Sequence, residues 1–507
     1  MASDPLAPPA TLRDVIDAHA ATQPRATFIC APEPGLEIDY ATLQQSCRAL
    51  AASLDAAGIE PGATVSFMLE NGVSAASAFL GAMYGGYVVS PINLHAQDAQ
   101  LAYTLAHSDT RIVFASAANR ERLERLRAAG SAAFDVCVVG TDGLELPAAD
   151  AFRPPARRAH DPAMLMYTSG TTGQPKGALL SHAGLLAGAR AVAQSLALTS
   201  ADRVLSSLPL YHVNGQCIAT LAPLVSGGSV VMPHRFSVSQ WWPLVERYRP
   251  TWLNMVPTII AYLLNGPELT PGQAAACESV RFGRSASAPL PPEQHRAFEA
   301  RFGFSVVEAM GLTESSSVAF TNPLDKSQRK YGSPGKPLGV EARVVDRSGA
   351  PVGVGVRGEI ELRGPNVMIG YYKAPEATAA ALRAEGWLAT GDLGYRDADG
   401  FYFITGRLKE LIIKGGENIA PREIDEALLA HPAVLEAAAV GVPDAAYGQE
   451  ILACVVMKPG AACTEDDLRV HCLRMLGRYK SPRYLRVVNE LPKGPSGKVQ
   501  RLKLAEL

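Results

Sequence analysis

The chain has 507 residues and a formal net charge of −2, its Lys and Arg nearly balanced by Asp and Glu. That length exceeds what one hydrophobic core supports, so at least two domains are expected, and the near-neutral charge gives no electrostatic case for nucleic acid or an anionic membrane surface. The eight cysteines include no C-x-x-C pair, which argues against a zinc finger and against a dense disulfide framework.

Residues 1–9 carry Asp4 and prolines where a secretory signal would need a basic and then an apolar run. From about residue 40 to 310, helix-period segments at 40–56, 75–85, 182–197 and 240–248 sit between short apolar runs at 64–69, 111–115, 136–139, 204–208 and 229–232. Apolar runs of this length between helices predict parallel strands covered on both faces. The most apolar long stretch, 215–233, is interrupted by Pro223, Gly227 and Gly228, so it reads as buried helix and strand and not as a membrane span. A reducing, cytoplasmic setting without membrane insertion is the expectation.

Residues 164–167 read as a strand that runs into Thr168-Ser169-Gly170-Thr171-Thr172-Gly173-Gln174-Pro175-Lys176-Gly177. Its glycines free the backbone to curl and aim N–H groups at an anion, while its hydroxyls and lysine add donors to phosphate oxygens. A Walker A loop needs Gly before its Lys and Ser or Thr after it. Pro175 and Gly177 stand there instead, so the P-loop NTPase reading fails. A plain linker would seldom combine these residue types directly after a buried strand.

After about Lys336 the texture changes. Segments 340–346, 358–363 and 400–406 alternate β-branched and polar residues between glycine-rich turns, which predicts an antiparallel β subdomain. Beyond Lys409 a compact pattern resumes, with a strand at 411–413, a helix at 421–430, strands at 437–442 and 451–456, a helix at 464–476 and a strand at 483–488. That is enough chain for a small α+β domain of its own.

The run from Tyr167 to Gly177 resembles the signature loop of the adenylate-forming superfamily, and the likeness continues in order through 309–314, 389–392, 406–418 and 492–498. It covers nearly the whole chain and points to the acyl-CoA synthetase branch. The resemblance implies an α/β fold: a large N-terminal domain of parallel-rich, helix-flanked sheets over 1–406, with its β subdomain at about 336–406. A hinge at 407–409 and a mobile C-terminal α+β domain over 410–507 complete it. The implied reaction joins a carboxylic acid to ATP with Mg2+, releases pyrophosphate, and hands the acyl group to coenzyme A.

That chemistry pushes one anion onto the phosphorus of another, so positive charge and rigid donors are needed where charge builds up. By the resemblance, Thr168, Ser169, Gly170, Thr171, Thr172, Gly173 and Lys176 hold the phosphates. Glu314 holds magnesium, which needs a carboxylate, and Thr313 meets the α-phosphate. Met310 and Gly311 flank the adenine, Met310 standing where the family has an aromatic ring. Asp392 accepts the ribose hydroxyls and Arg407 reaches the same region. Lys498 is the mobile catalytic lysine, Lys409 the hinge, and Gly415 and Gly416 the turn past which the pantetheine arm would run.

The implied acyl pocket draws on 211–216, 284–288 and 309–312, with His212, Asn214, Arg284, Ser285, Ser287 and Ala309 as its wall. His212 is expected to orient its neighbours and not to act as a base. Unpaired polar groups against an alkyl chain cost about 1–3 kcal/mol each, so this wall disfavours a long fatty acid. The pattern around it is similar to oxalyl-CoA synthetases, which points to oxalate or another short polar acid; Asn214 stands where that branch would have a second histidine. Three alternatives stay open: an enzyme loading a carrier-protein phosphopantetheine, a medium-chain or aromatic acyl-CoA synthetase, and a degenerate adenylate sensor. A homodimer is compatible with the sequence. The Gly497-Lys498 motif also resembles sites of lysine acetyltransferases, whose product would remove the charge the chemistry needs.

Overall fold

The computed structural model describes residues 10–130, 132–143, 154–168, 174–493 and 499–507. Two large sheets form the N-terminal part. In the nine-stranded sheet, five successive pairings from Thr27–Ala31 through Ser229–Val231, Arg203–Leu205, Trp252–Met255 and Phe282–Ser285 to Val306–Met310 are parallel. The seven-stranded sheet has a parallel centre built on Thr64–Met68, Val88–Pro91 and Thr110–Ala115, and ends in the antiparallel pair Pro162–Thr168 and Lys176–Ser181.

Helix Val73–Gly85 is apolar on nearly every side and buried along nearly its whole length, as a helix wedged between layers must be. Its Phe79 and Leu80 belong to one core with Phe28 of the nine-stranded sheet and Phe67 of the seven-stranded one. Helix Tyr40–Ala56, expected at 40–56, starts where the Asp39 side chain accepts the Thr42 N–H. The 215–233 stretch forms a π-helix, Asn214–Leu221, that continues into helix Ala222–Ser226 and strand Ser229–Val231. Among the described residues no helix is long and apolar enough to cross a membrane.

An antiparallel four-stranded sheet follows, Glu341–Val345, Gly358–Arg363, Leu388–Arg396 and Tyr402–Arg407. The 336–406 segment is not wholly one sheet, however. Lys336–Pro337 closes the edge of the nine-stranded sheet, and Gly370–Tyr371 pairs with Lys176–Ser181 in the seven-stranded one. Strands this short carry too little periodicity to be read from sequence.

The smaller C-terminal domain holds a five-stranded sheet with its own core, including Ile412, Ile424, Ile451, Leu468 and Leu485. Helix Glu465–Lys480 opens on a Thr464/Asp467 capping box, with acids in its first turn and Arg478 and Lys480 in its last, the charge order the helix dipole favours.

Candidate active site

The glycine- and hydroxyl-rich loop connects two antiparallel strands, Thr168 facing Lys176 across the pair. A P-loop leads from strand to helix, so this topology also separates the two. Thr168 Oγ1 donates to the Lys176 carbonyl at 3.4 Å. Ser169, Gly170, Thr171, Thr172 and Gly173 lie outside the described residues, as does Lys498.

Beside the hairpin stands Glu314, in the single turn Thr313–Ser315. The Tyr371 hydroxyl donates to its Oε1 at 2.9 Å, and the Met368 N–H donates to its backbone carbonyl at 2.8 Å. The Lys176 ammonium lies 5.2 Å from the centre of the Tyr371 ring. Burial and the Glu314 carboxylate push the Tyr371 phenol above its ordinary range, so it stays a donor. Gly311 is held to glycine by sterics: a Cβ there would sit 2.0 Å from the Ser317 carbonyl oxygen.

Asp392 is buried, with Arg407 Nε at 2.8 Å from its Oδ1 across the paired strands Leu388–Arg396 and Tyr402–Arg407. The Asp392 charge raises the Arg407 pKa. A cavity of about 270 Å³ opens here, walled by Met310, Gly311, Asp392 and Arg407 of the large domain and by Val499 and Arg501 of the small one. Ala309 also lines it.

The described residues on either side of 494–498 have partners in the small domain. Lys493 bridges to Val499 in antiparallel register and pairs with Glu436 at 2.7 Å. Arg501 pairs with Asp425, donates to the Ala439 carbonyl at 2.9 Å, and reaches Glu410 Oε2 at 3.3 Å. Lys409 is exposed within the turn Leu408–Glu410. Gly415 and Gly416 form the turn between Ile412–Lys414 and Glu417–Ile419 and are not among the cavity walls. Lys414 of that turn is buried, paired with Glu450 at 2.6 Å and bonded to the Tyr479 carbonyl at 3.0 Å.

The acyl-pocket residues divide. Parallel register sets Arg284 beside Asn254, and Ser285 beside Met255 and Glu308. Neighbouring residues of a strand point to opposite faces, so Arg284 and Ser285 do not share the one wall expected of them. On the Arg284 face a polar chain runs through the core. Asn254 Nδ2 donates to Asn214 Oδ1 at 3.1 Å, and Asn214 Nδ2 donates to Ser287 Oγ at 3.0 Å. Ser287 lines the cavity, so this chain begins where the cavity wall ends. His212 Nδ1 accepts the Asn214 N–H at 3.3 Å, an orienting contact.

The π-helix presents Asn214 to this cluster, and Gly215 permits its close approach, since a Cβ there would lie 2.5 Å from the Pro209 carbonyl oxygen. π-Helical turns are rare and gather at functional sites. Arg284 is 3% exposed and its Nη1 has no hydrogen-bond partner among the described residues. Burial alone pulls its pKa down to about 10, so it remains a cation at neutral pH.

Residues 16–372 match the family described as AMP-binding enzyme, and residues 423–498 match the AMP-binding enzyme C-terminal domain. The chain belongs to this family. It is similar to a sulfoacetate–CoA ligase of Cupriavidus necator, 56% identical over 97% of each chain. It is also similar to an oxalate–CoA ligase of Arabidopsis thaliana, 34% identical over 90% of this chain and 91% of that one. The protein is therefore an AMP-forming CoA ligase whose substrates are ATP, coenzyme A and a carboxylic acid.

Among solved structures, ATP-bound MatB from Rhodopseudomonas palustris matches the ligase with a TM-score of 0.90 at 33% identity over 98% of each chain. The apo form of that protein, at the same identity and coverage, gives 0.80.

Sequence reasoning missed Tyr371, Asn254 and Arg501. Asn254 had a signal, as the one polar residue in the buried strand Trp252–Met255. Arg501 follows the Gly497-Lys498 motif closely enough to have been considered with it. Tyr371 had none, because its contacts are made across the sheet.

Proposed function

We propose that this ligase activates a short acid bearing a second anionic group, with sulfoacetate as the preferred substrate. The observation that carries the reading is Arg284. A buried cation without a partner costs several kcal/mol, and an acid whose far end is an anion would supply the missing charge. A sulfonate offers three acceptor oxygens. The Arg284 fork can take some of them, and Ser287, which accepts from Asn214, has its own hydroxyl proton left to donate. Sulfoacetate is the acid named for the 56% identical relative, and it replaces oxalate as the leading candidate. Both are short and polar, as the pocket wall requires.

The other roles follow from position. Lys176 and the hydroxyl-rich loop would neutralise the phosphates, and Asp392, aligned by Arg407, would accept the ribose hydroxyls. Glu314, oriented by Tyr371, offers a carboxylate to Mg2+, which suits a metal held by one or two carboxylates plus substrate phosphates. Mg2+ there would neutralise charge on the phosphates as the acid attacks. Lys498 would offset the charges of the carboxylate and α-phosphate during adenylation. Rotation of residues 410–507 about the exposed Lys409 would then withdraw Lys498 and bring in Gly415 and Gly416 for the thioester step. Two half-reactions with opposite charge demands in one cleft support such a two-position cycle.

The test is a panel of sulfoacetate, malonate, oxalate, acetate and octanoate, followed by acid-dependent pyrophosphate release and CoA-thioester formation. Sulfoacetate should lead and acetate should trail by about 100-fold or more in kcat/KM. Acetate or octanoate turning over as well as sulfoacetate would end the dianion reading.

A further inference from the structure

We propose that Arg422 is the latch holding the small domain in its adenylating position, and that its release accompanies the passage to thioester formation. The inference rests on the two-position cycle proposed above and adds the residue that sets its balance. Arg422 lies at the start of helix Pro421–Leu429 in the small domain, its side chain 13% exposed. Its Nη1 donates to the Ile404 carbonyl oxygen of the large domain at 2.6 Å, and its Nη2 reaches the Gly332 carbonyl oxygen at 3.5 Å. Its Nε pairs with Glu426 Oε1 at 2.6 Å, one turn along the same helix. The pair within the helix aims the planar fork, and the two remaining arms grip backbone across the domain boundary.

Among the described residues, two other contacts of charged side chains cross that boundary, and both are looser. Arg357 meets Glu423 at 3.6 Å with the arginine 63% exposed, where solvent and salt screen the attraction. Lys493 lies 5.8 Å from the centre of the Tyr262 ring. Arg422 is the most enclosed of the three, and the hydrogen bonds its guanidinium donates are charge-assisted, roughly twice as strong as neutral ones. Its acceptor Ile404 lies in Tyr402–Arg407, the strand that leads directly into the hinge segment. A rotation about Lys409 that swings the helix off this strand must break the grip.

A second consequence accompanies the first. Arg422 and Glu308 line the same cavity, and Glu308 is a buried carboxyl whose Oε2 has no partner among the described residues. The other charged groups facing Glu308 are His295 on its own domain and Glu426 beside Arg422. Withdrawing this helix takes both Arg422 and Glu426 away from Glu308, so opening changes the charges around that carboxyl as well as breaking the hydrogen bonds of Arg422. The latch thus lies on the strand that leads into the hinge, where it favours the closed state by gripping the backbone of the large domain. Arg422 is a positioning residue in this account.

The test separates the half-reactions in R422Q, with Arg357→Ala as a control at the exposed pair. Acid-dependent pyrophosphate exchange with sulfoacetate, and with malonate as a second acid, should fall about 10-fold or more in R422Q. Thioester formation from the synthesised adenylate of the same acid plus CoA should hold or rise. Arg422→Lys, which keeps the charge and one donor, should recover part of the exchange rate, and R357A should change neither step more than about 2-fold. Equal losses in both half-reactions of folded R422Q and R422K would make the residue merely structural, and no change in either would remove the latch. Wild-type protein lacking acid-dependent exchange altogether would overturn the ligase reading and the latch with it.

Discussion

The Tyr371 hydroxyl donates to Glu314 at 2.9 Å while the face of the same ring lies 5.2 Å from the Lys176 ammonium. One side chain thus sets the distance between the carboxylate expected to hold magnesium and the lysine expected to meet the phosphates. It does so because the two-residue strand Gly370–Tyr371 pairs directly with Lys176–Ser181.

Tyr371→Phe should keep the ring beside Lys176 and lose only the hydrogen bond to Glu314. Activity should fall about 10-fold, with the loss concentrated in adenylation and accompanied by a weaker response to Mg2+. A Mg2+ titration of the pyrophosphate-exchange rate measures it. An unchanged magnesium dependence would show that Tyr371 only packs.

Arg284→Met replaces a buried cation with an apolar chain of similar length. Turnover of sulfoacetate should drop by about 100-fold or more, while thermal stability should hold or rise, because no unpaired charge is then buried. Comparing kcat/KM for sulfoacetate and butyrate in both proteins reads the preference directly. A preserved preference for the sulfonate would relocate the anion site away from Arg284.

Met310 lines the cavity beside Gly311 and Asp392, where a ring would stack on adenine. Met310→Tyr should tighten ATP binding by a few-fold, on the order of the 0.5–1.5 kcal/mol that separates ring stacking from area burial alone. Calorimetric titration with ATP decides the point, and weaker binding would mean the cavity is shaped around the thioether.

Burial pushes the Glu308 carboxyl up to about 7 from an ordinary 4.5, with the Leu290 N–H, Arg422 and His295 offsetting part of that penalty. Between those two values the folded chain holds a proton that the unfolded chain has released, so stability falls as pH rises through the window. Glu308→Gln removes this term while keeping an acceptor for Leu290 N–H, bonded at 3.1 Å. Its melting temperature relative to wild type should therefore be higher at pH 8 than at pH 5, by about 2 °C or more. Parallel melting curves across that range would refute the assignment.

Much of the fold was legible because its signals are local. Helix Tyr40–Ala56 has its Asp39 cap and apolar period in one stretch of chain, and strand Gly358–Arg363 alternates within six residues. The strands that carry the acyl pocket, Trp252–Met255 and Phe282–Ser285, were harder. Each is short and mixes polar with apolar residues, a pattern that does not separate a buried strand from a turn. The separation of Arg284 from Ser285 onto opposite faces needed strand register, which no local pattern supplies.

By itself the sequence determined the chemistry. Loops expected to bind phosphate and magnesium work through residue types in fixed local order, so the segments Thr168 to Lys176, Gly311 to Glu314 and Asp392 could be proposed one at a time. Only the tertiary structure shows which groups stand unpaired in the acyl pocket and which residues of the two domains meet. Arg284 Nη1 has no partner among the described residues, whereas Asn254, Asn214 and Ser287, distant along the chain, bond to one another across the sheet. Likewise, Arg422 meets Ile404 and Gly332 only when one domain lies against the other. Long-range packing creates both facts, and a residue's neighbours in sequence hold no record of it.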